Sequence, residues 1–266
     1  MRIPAQKVAF ILALLIAGPP AAAPDKRDSA FSSELRSTIV RFDSAYTVWE
    51  ESTFLAVDEA FKHLASLQPA NHLPYYWQGV VQFHLVSYYL FGFPEHKDTD
   101  AAKQCTENAL ASLSAALTIQ PGDGESLALL GTLTGIKIFL NPVQAPVLGP
   151  KVMSSIREAL AADSTNPRVY YLAGVSYYNT PAILGGGADK ALEYLLKAEN
   201  LYTKEATLPP APLLPRWGRS TCRGFIAKAY TKKNNYHAAR TWYRKALDVN
   251  PSDEMARVGL QELDTR

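Results

Sequence analysis

The residues of this sequence that could do chemistry are few, and their spacing fits no catalytic pattern. Gly185, Gly186 and Gly187 stand just before Asp189. Free N–H groups at a helix N-terminus can hold a phosphate or carboxylate. No Gly-Lys-Ser/Thr follows four variable residues, as a phosphate loop requires, and Asp189 already places negative charge there. The run is read as a glycine turn that accommodates a loop insertion. The five histidines, His63, His72, His84, His96 and His237, form no i,i+4 pair and no HExxH motif. Residues 93–100 gather His96 with Glu95, Asp98 and Asp100, which reads as a solvated loop with Asp98 or Thr99 capping the next helix. Arg219 and Arg223 beside Cys222 could lower its thiol pKa, but without a CxxC pattern the favoured reading is an inert thiol. GxSxG and the SxxK with SDN set are absent. No catalytic residue, metal or cofactor is expected.

The surrounding sequence is that of a folded helical protein. Of 266 residues, 47% are hydrophobic and 20% charged, enough apolar surface for a core and too much for disorder. Residues 1–23 read as a signal peptide: Arg2 and Lys7 precede an apolar run over 8–17, and Ala21, Ala22 and Ala23 follow. Ten apolar residues are too short for a helix across a bilayer of about 30 Å. The expected products are an exported, periplasmic or secreted soluble protein and a single domain over 24–266. Without Arg2 and Lys7 the 27 basic residues become 25, matching the 25 acidic ones.

A repeated spacing organises that domain. Ile226, Ala227, Tyr230, Ala239, Tyr243, Ala246 and Pro251 fall at the intervals of a two-helix unit. Tyr170, Ala173, Gly174 and Tyr177 repeat its first helix, and Ala191, Leu195 and Ala198 its second. Weaker copies start at Leu127 and Tyr75, and residues 29–69 read as one more helical pair. Small residues at recurring positions let paired helices approach closely, and each pair leaves an apolar face for the next to cover. Three prolines at 142, 146 and 150 interrupt the helices of the Leu127 copy. Ser252 is expected to cap a closing helix over 252–263. No period-2 strand is visible.

These intervals resemble the tetratricopeptide repeat (TPR) superfamily. The run Asn179, Thr180, Pro181, then Gly185 to Gly187 and Asp189, Lys190, Ala191 is similar to a loop of exported bacterial TPR proteins. The resemblance implies an all-α, right-handed helical-repeat solenoid of four or five pairs, without enzymatic activity. In TPR proteins defined first-helix positions line a concave groove, and carried over by matching repeats these are Tyr76, Val80, Phe83 and His84; Arg168, Tyr171, Val175, Tyr178 and Asn179; and Lys228, Thr231 and Lys232. Core packing is the competing reading for each aromatic.

Charge is uneven as well. Residues 216–246 hold nine basic and no acidic side chains, whereas residues 28–68 hold seven acidic and three basic ones. The first stretch is read either as a solvated face or as a wall that attracts anions. Export argues against nucleic acid. The expected function is a scaffold that binds a protein or peptide, acidic in character, through an aromatic- and lysine-lined groove. The alternative is a small-ligand protein resembling the T component of TRAP transporters, with the proline-rich insertions closing a pocket. An open, elongated groove would favour the first, and a closed apolar pocket the second.

Overall fold

The computed structural model describes residues 26–209, 213 and 215–265; the expected signal peptide and its cleavage site lie outside them. Among the described residues there are eleven α-helices and no strand. In chain order they are α1 Lys26–Val48, α2 Glu51–Leu67, α3 His72–Phe91, α4 Thr99–Ile119, α5 Gly124–Leu140, α6 Ala145–Ala162, α7 Pro167–Asn179, α8 Ala188–Glu205, α9 Arg219–Lys232, α10 Tyr236–Val249 and α11 Glu254–Asp264. The architecture is an all-α helical-repeat solenoid. No described helix is long and apolar enough to cross a membrane.

Each odd-numbered helix up to α9 packs against the even-numbered helix that follows it, giving five pairs, and α11 covers α9 and α10. The first helices α3, α5, α7 and α9 also touch in sequence. Small residues set the spacing. A Cβ on Gly174 would lie 2.5 Å from Leu195 Cγ, so only glycine lets α7 approach α8 this closely. Ala191, Ala198, Ala239 and Ala246 are fully buried at the expected contacts, with Leu195 and Tyr243 filling the spaces between.

Polar caps fix the helix starts. Asp98 accepts from the N–H groups of Asp100 and Ala101 at the head of α4, as its sequence position suggests. Two local expectations are corrected. Asp253, not Ser252, caps α11, accepting from Ala256 N at 3.0 Å. Pro146 and Pro150 do not delay α6, which begins at Ala145 with both prolines in its opening turns. Pro146 falls in the first turn, where donors lack helical partners anyway, whereas Pro150 stands inside the helix and removes one i→i−4 bond.

Candidate functional site

The N-terminal ends of α3, α5 and α7 meet in a buried polar network. Arg168 Nε donates to Glu125 Oε1 at 2.7 Å, and its two terminal nitrogens donate to Glu205 at 2.6 and 3.1 Å. Glu125 also accepts from Asn166 Nδ2 at 2.7 Å and from the Tyr76 hydroxyl. Trp217, in the connection before α9, donates its Nε1–H to Tyr76 Oη at 3.0 Å across 141 residues of chain. Burial and the adjacent Glu125 push the Tyr76 phenol well above its ordinary pKa, so it stays a donor. Burial alone would lower the Arg168 pKa, but Glu125 and Glu205 hold it well above its ordinary value. The network forms a floor to the concave side.

Trp217 also fills space on that side. Its ring lies 5.4 Å from His84, 6.0 Å from Phe83 and 6.2 Å from Tyr171. His84 is enclosed by Phe42, Tyr46, Trp49, Phe54, Phe83 and Trp217. Its Nδ1 sits 2.7 Å from Val80 O, and burial lowers its pKa to about 4. It is a neutral core residue at pH 7.

At the other end the C-terminal helices reach back to the first repeats. Glu254, at the start of α11, accepts from Phe93 N at 2.9 Å and lies 3.2 Å from His96 Nδ1. His96 in turn stacks on Tyr88 with ring centroids 4.3 Å apart, and Asn250 Nδ2 donates to Tyr46 O at 3.1 Å. His96 therefore belongs to a closing clamp, not to a solvated loop. These contacts leave a narrow hollow of about 70 Å³ on the concave face, with Trp217 packed against its wall residues Phe83 and Tyr171. Phe83, Phe91, Tyr171, Val175 and Phe225 supply apolar wall, and Lys228, Asn179 and Thr221 supply polar groups. The walls come from α3, α5, α7, α9 and the head of α11, with Trp49 from the end of α1.

Two lysines sit differently at this site. Lys228 Nζ lies 5.6 Å from the ring centroids of both Phe91 and Phe225. Burial lowers its pKa from the ordinary lysine value, with Glu262 opposing and Lys232 adding to that effect. Lys232 is exposed at the rim, 3.6 Å over the Tyr178 ring and 3.1 Å from Tyr178 O.

Six of the twelve groove residues named from the sequence therefore line one hollow: Phe83, Tyr171, Val175, Tyr178, Asn179 and Lys228. Tyr76, His84 and Arg168 lie beneath it, 3%, 1% and 4% exposed, so their expected projection into an open groove is corrected. Sequence reasoning missed Ile136, Trp217 and Glu125. Glu125 stands two residues before Leu127, as Arg168 stands two before Tyr170. Opposite charges at equivalent positions of consecutive repeats were the available signal, since stacking makes such positions neighbours.

The other chemical motifs resolve into structure. Gly185 and Gly187 have φ of +83° and +100°, which suits glycine, and the N–H groups of Gly185, Gly186 and Gly187 point to Ala182 O, Pro181 O and Tyr177 O. They form a turn and no anion cradle. Cys105 and Cys222 are free and buried. Burial, followed by Glu199, raises the Cys222 thiol well above its ordinary pKa, outweighing Arg223 and Arg219, in keeping with the favoured reading of an inert thiol. The basic stretch is partly neutralised from other helices: Glu199 pairs with Arg219 and Arg223 at 2.8 and 2.7 Å, Asp189 with Lys233, and Asp264 with Arg240. Burial would raise the Glu199 pKa, but the two guanidiniums hold it below the usual carboxylate value. No metal-binding group of His, Cys, Asp and Glu occurs among the described residues.

A second hollow lies between the turns that carry the prolines, lined by Ile138, Pro146, Pro150, Val152, Met153 and Leu184. Asn179 lines both hollows.

Comparison with known proteins supports the repeat reading. The tetratricopeptide repeat family profile matches residues 221–253, which hold most of α9, all of α10 and the turn before α11. Among solved structures, the chain is similar to the HusA haemophore from Porphyromonas gingivalis, with a TM-score of 0.61 and 23% identity over 77% of this chain and 94% of that one. It is also similar to TTC0263, a thermophilic TPR protein of Thermus thermophilus, with a TM-score of 0.61 and 17% identity over 89% of this chain and all of that one. At these identities the likeness establishes the fold. No curated protein matches the sequence.

Proposed function

We propose that this chain is an exported, non-enzymatic binding protein that holds a small organic ligand in the hollow on the concave side of a TPR-like solenoid. The observation that carries this reading is the closure of the concave face. Trp217 packs against the wall residues Phe83 and Tyr171, and the Glu254 clamp ties α11 to the α3–α4 turn. An extended peptide needs an open channel along the repeats, whereas a small ligand needs an enclosed apolar pocket with few polar groups. The sequence favoured the peptide groove; the geometry favours its alternative. HusA is described as a haemophore, which makes haemin a natural member of a ligand panel. The leader over residues 1–23 supports export, and the resemblance of the 179–191 loop to exported bacterial TPR proteins agrees with it.

Helical-repeat folds of this type commonly serve as interaction scaffolds, and one observation keeps a protein partner as a second reading. Phe139, Val143, Val147, Ile183 and Leu184 are each at least 65% exposed on the α5–α6 and α7–α8 turns and the helix ends beside them. Apolar groups gathered this way suit a docked partner. The two readings separate by titration of the chain with haemin, small organic acids and random-sequence peptides, followed through tryptophan fluorescence. Quenching by a small ligand that persists in a Val143→Ser, Ile183→Ser variant supports the hollow. Binding of peptides alone, lost in that variant, overturns it.

A further inference from the structure

Resting on the reading of the concave hollow as a ligand pocket, we infer that its ligand is an organic monocarboxylate with an apolar body, anchored through its carboxylate on Lys228. The charges around the hollow lead to this assignment. Two carboxylates line it, and both are engaged. Asp253 accepts from Ala256 N at 3.0 Å and from Ser220 Oγ at 2.5 Å, while Glu254 accepts from Phe93 N at 2.9 Å. The half-buried cations elsewhere have partners: Arg168 has Glu125 and Glu205, and Arg219 and Arg223 share Glu199. Lys228 differs. Among the described residues no ion pair or hydrogen bond reaches its Nζ; its contacts are the faces of Phe91 and Phe225, and the Glu262 carboxylate, which shares an adjoining hollow with it, acts on it only from beyond contact. Ring faces recover only part of the hydration an ammonium gives up.

A carboxylate delivered to that ammonium would form a charge-assisted hydrogen bond without first displacing an internal acid. One negative charge is the right number. Asp253 and Glu254 stand on the same hollow and oppose any anion there, so Lys228 can offset one negative charge and not two. No arginine fork lines the pocket to grip a phosphate in two places. The rest of the ligand meets Phe83, Ile136, Tyr171, Val175 and Phe225, which calls for an aromatic or alkyl body.

The test is calorimetric titration of the intact chain with indole-3-propionate and octanoate, each against its neutral amide. These acids share the proposed head and differ in body, so their ranking tells an aromatic ligand from an alkyl one. The expected result is that the preferred acid binds about tenfold or more tightly than its amide. Lys228→Met should abolish that preference while leaving amide affinity unchanged, and Lys228→Arg should retain it. Helical circular dichroism confirms that each variant is folded. Acid and amide bound equally by the original chain would overturn the anchor and leave the pocket standing. An acid preference that survives Lys228→Met would also overturn it, by placing the anchor elsewhere. If neither acids nor amides bind at about 10 mM, the anchor and the small-ligand reading fall together.

Discussion

Arg168 on α7 and Lys228 on α9 belong to first helices of consecutive repeats, and both are cations drawn in from solvent. Around Arg168 the protein supplies two carboxylates, each within 2.7 Å, and the guanidinium is 5% exposed. Around Lys228 it supplies two phenyl rings in contact and one carboxylate, Glu262, that makes no ion pair with it. The difference separates two uses of buried charge. A cation whose field is met by its own chain fixes geometry, here the register of α3, α5 and α7 at the floor. A cation whose field is unmet leaves free energy for something else to collect. Replacing both by the same apolar side chain should therefore give effects of opposite sign.

The largest effect is expected at the floor. Arg168→Met strands Glu125, 8% exposed, with only Tyr76 and Asn166 as donors. Breaking a buried pair from one side costs about 3–5 kcal/mol. Urea unfolding measures it, and adding Glu125→Gln should recover much of the loss by removing the orphaned charge. A cost below about 1 kcal/mol would mean that the floor is held by packing alone.

That contrast also marks what the sequence could disclose. The helix pairs were legible because their signal is local: Ala173, Gly174 and Tyr177 recur as Ile226, Ala227 and Tyr230, at spacings fixed by helix geometry. The closure was not. Trp217 belongs to no repeat, and its partner Tyr76 is 141 residues away. Glu254 meets His96 across 158 residues, with no periodicity to announce it. Groove positions carried over from the repeat pattern picked out Phe83, Tyr171 and Lys228, which line the hollow. They could not tell that the face would be covered, so residues expected in an open wall, Tyr76 and His84 among them, lie in the core.

Next in size is an acid effect centred on His84, which packs directly under Trp217. The unfolded chain takes up this proton near pH 6.5, while the folded chain holds out until about pH 4. The unfolded state binds more protons in that window, so stability falls as pH drops through it, by on the order of 3 kcal/mol. Asp58 works the other way. Burial raises its pKa from 3.8 to about 6, so the folded state binds the extra proton there and acidification gives stability back. His84→Phe should remove the first contribution and Asp58→Asn the second. Unfolding free energies at pH 7 and pH 4.5 would expose either. Equal acid sensitivity with and without His84 would show that its imidazole is not held neutral.

At the rim, Lys232 lies 3.6 Å over the Tyr178 ring and remains exposed. An exposed cation–π contact of this kind contributes about 0.5–1 kcal/mol. Lys232→Gln should cost no more than that in thermal unfolding, and it should leave the affinity of a ligand held at Lys228 unchanged.

The smallest effect on stability is expected at Lys228, and it is the one that decides the comparison. Its folded-state pKa lies below the ordinary 10.5, because burial opposes the charged form. Burial opposes the ammonium in the folded state alone, so that state bears the desolvation cost. Lys228→Met removes that cost, so the melting temperature should stay level or rise, by less than Lys232→Gln lowers it. The sign of the pH dependence follows. Between the depressed pKa and 10.5 the unfolded chain binds more protons, so the original protein gains stability as pH rises through this window. Its deficit against Lys228→Met should shrink towards pH 10.5 and vanish above it. Melting both proteins at pH 7 and pH 10.5 tests this directly. If Lys228→Met instead loses stability at pH 7, as Arg168→Met is expected to, the ammonium already has an internal partner. The reason for expecting a carboxylate ligand beside it would then be gone.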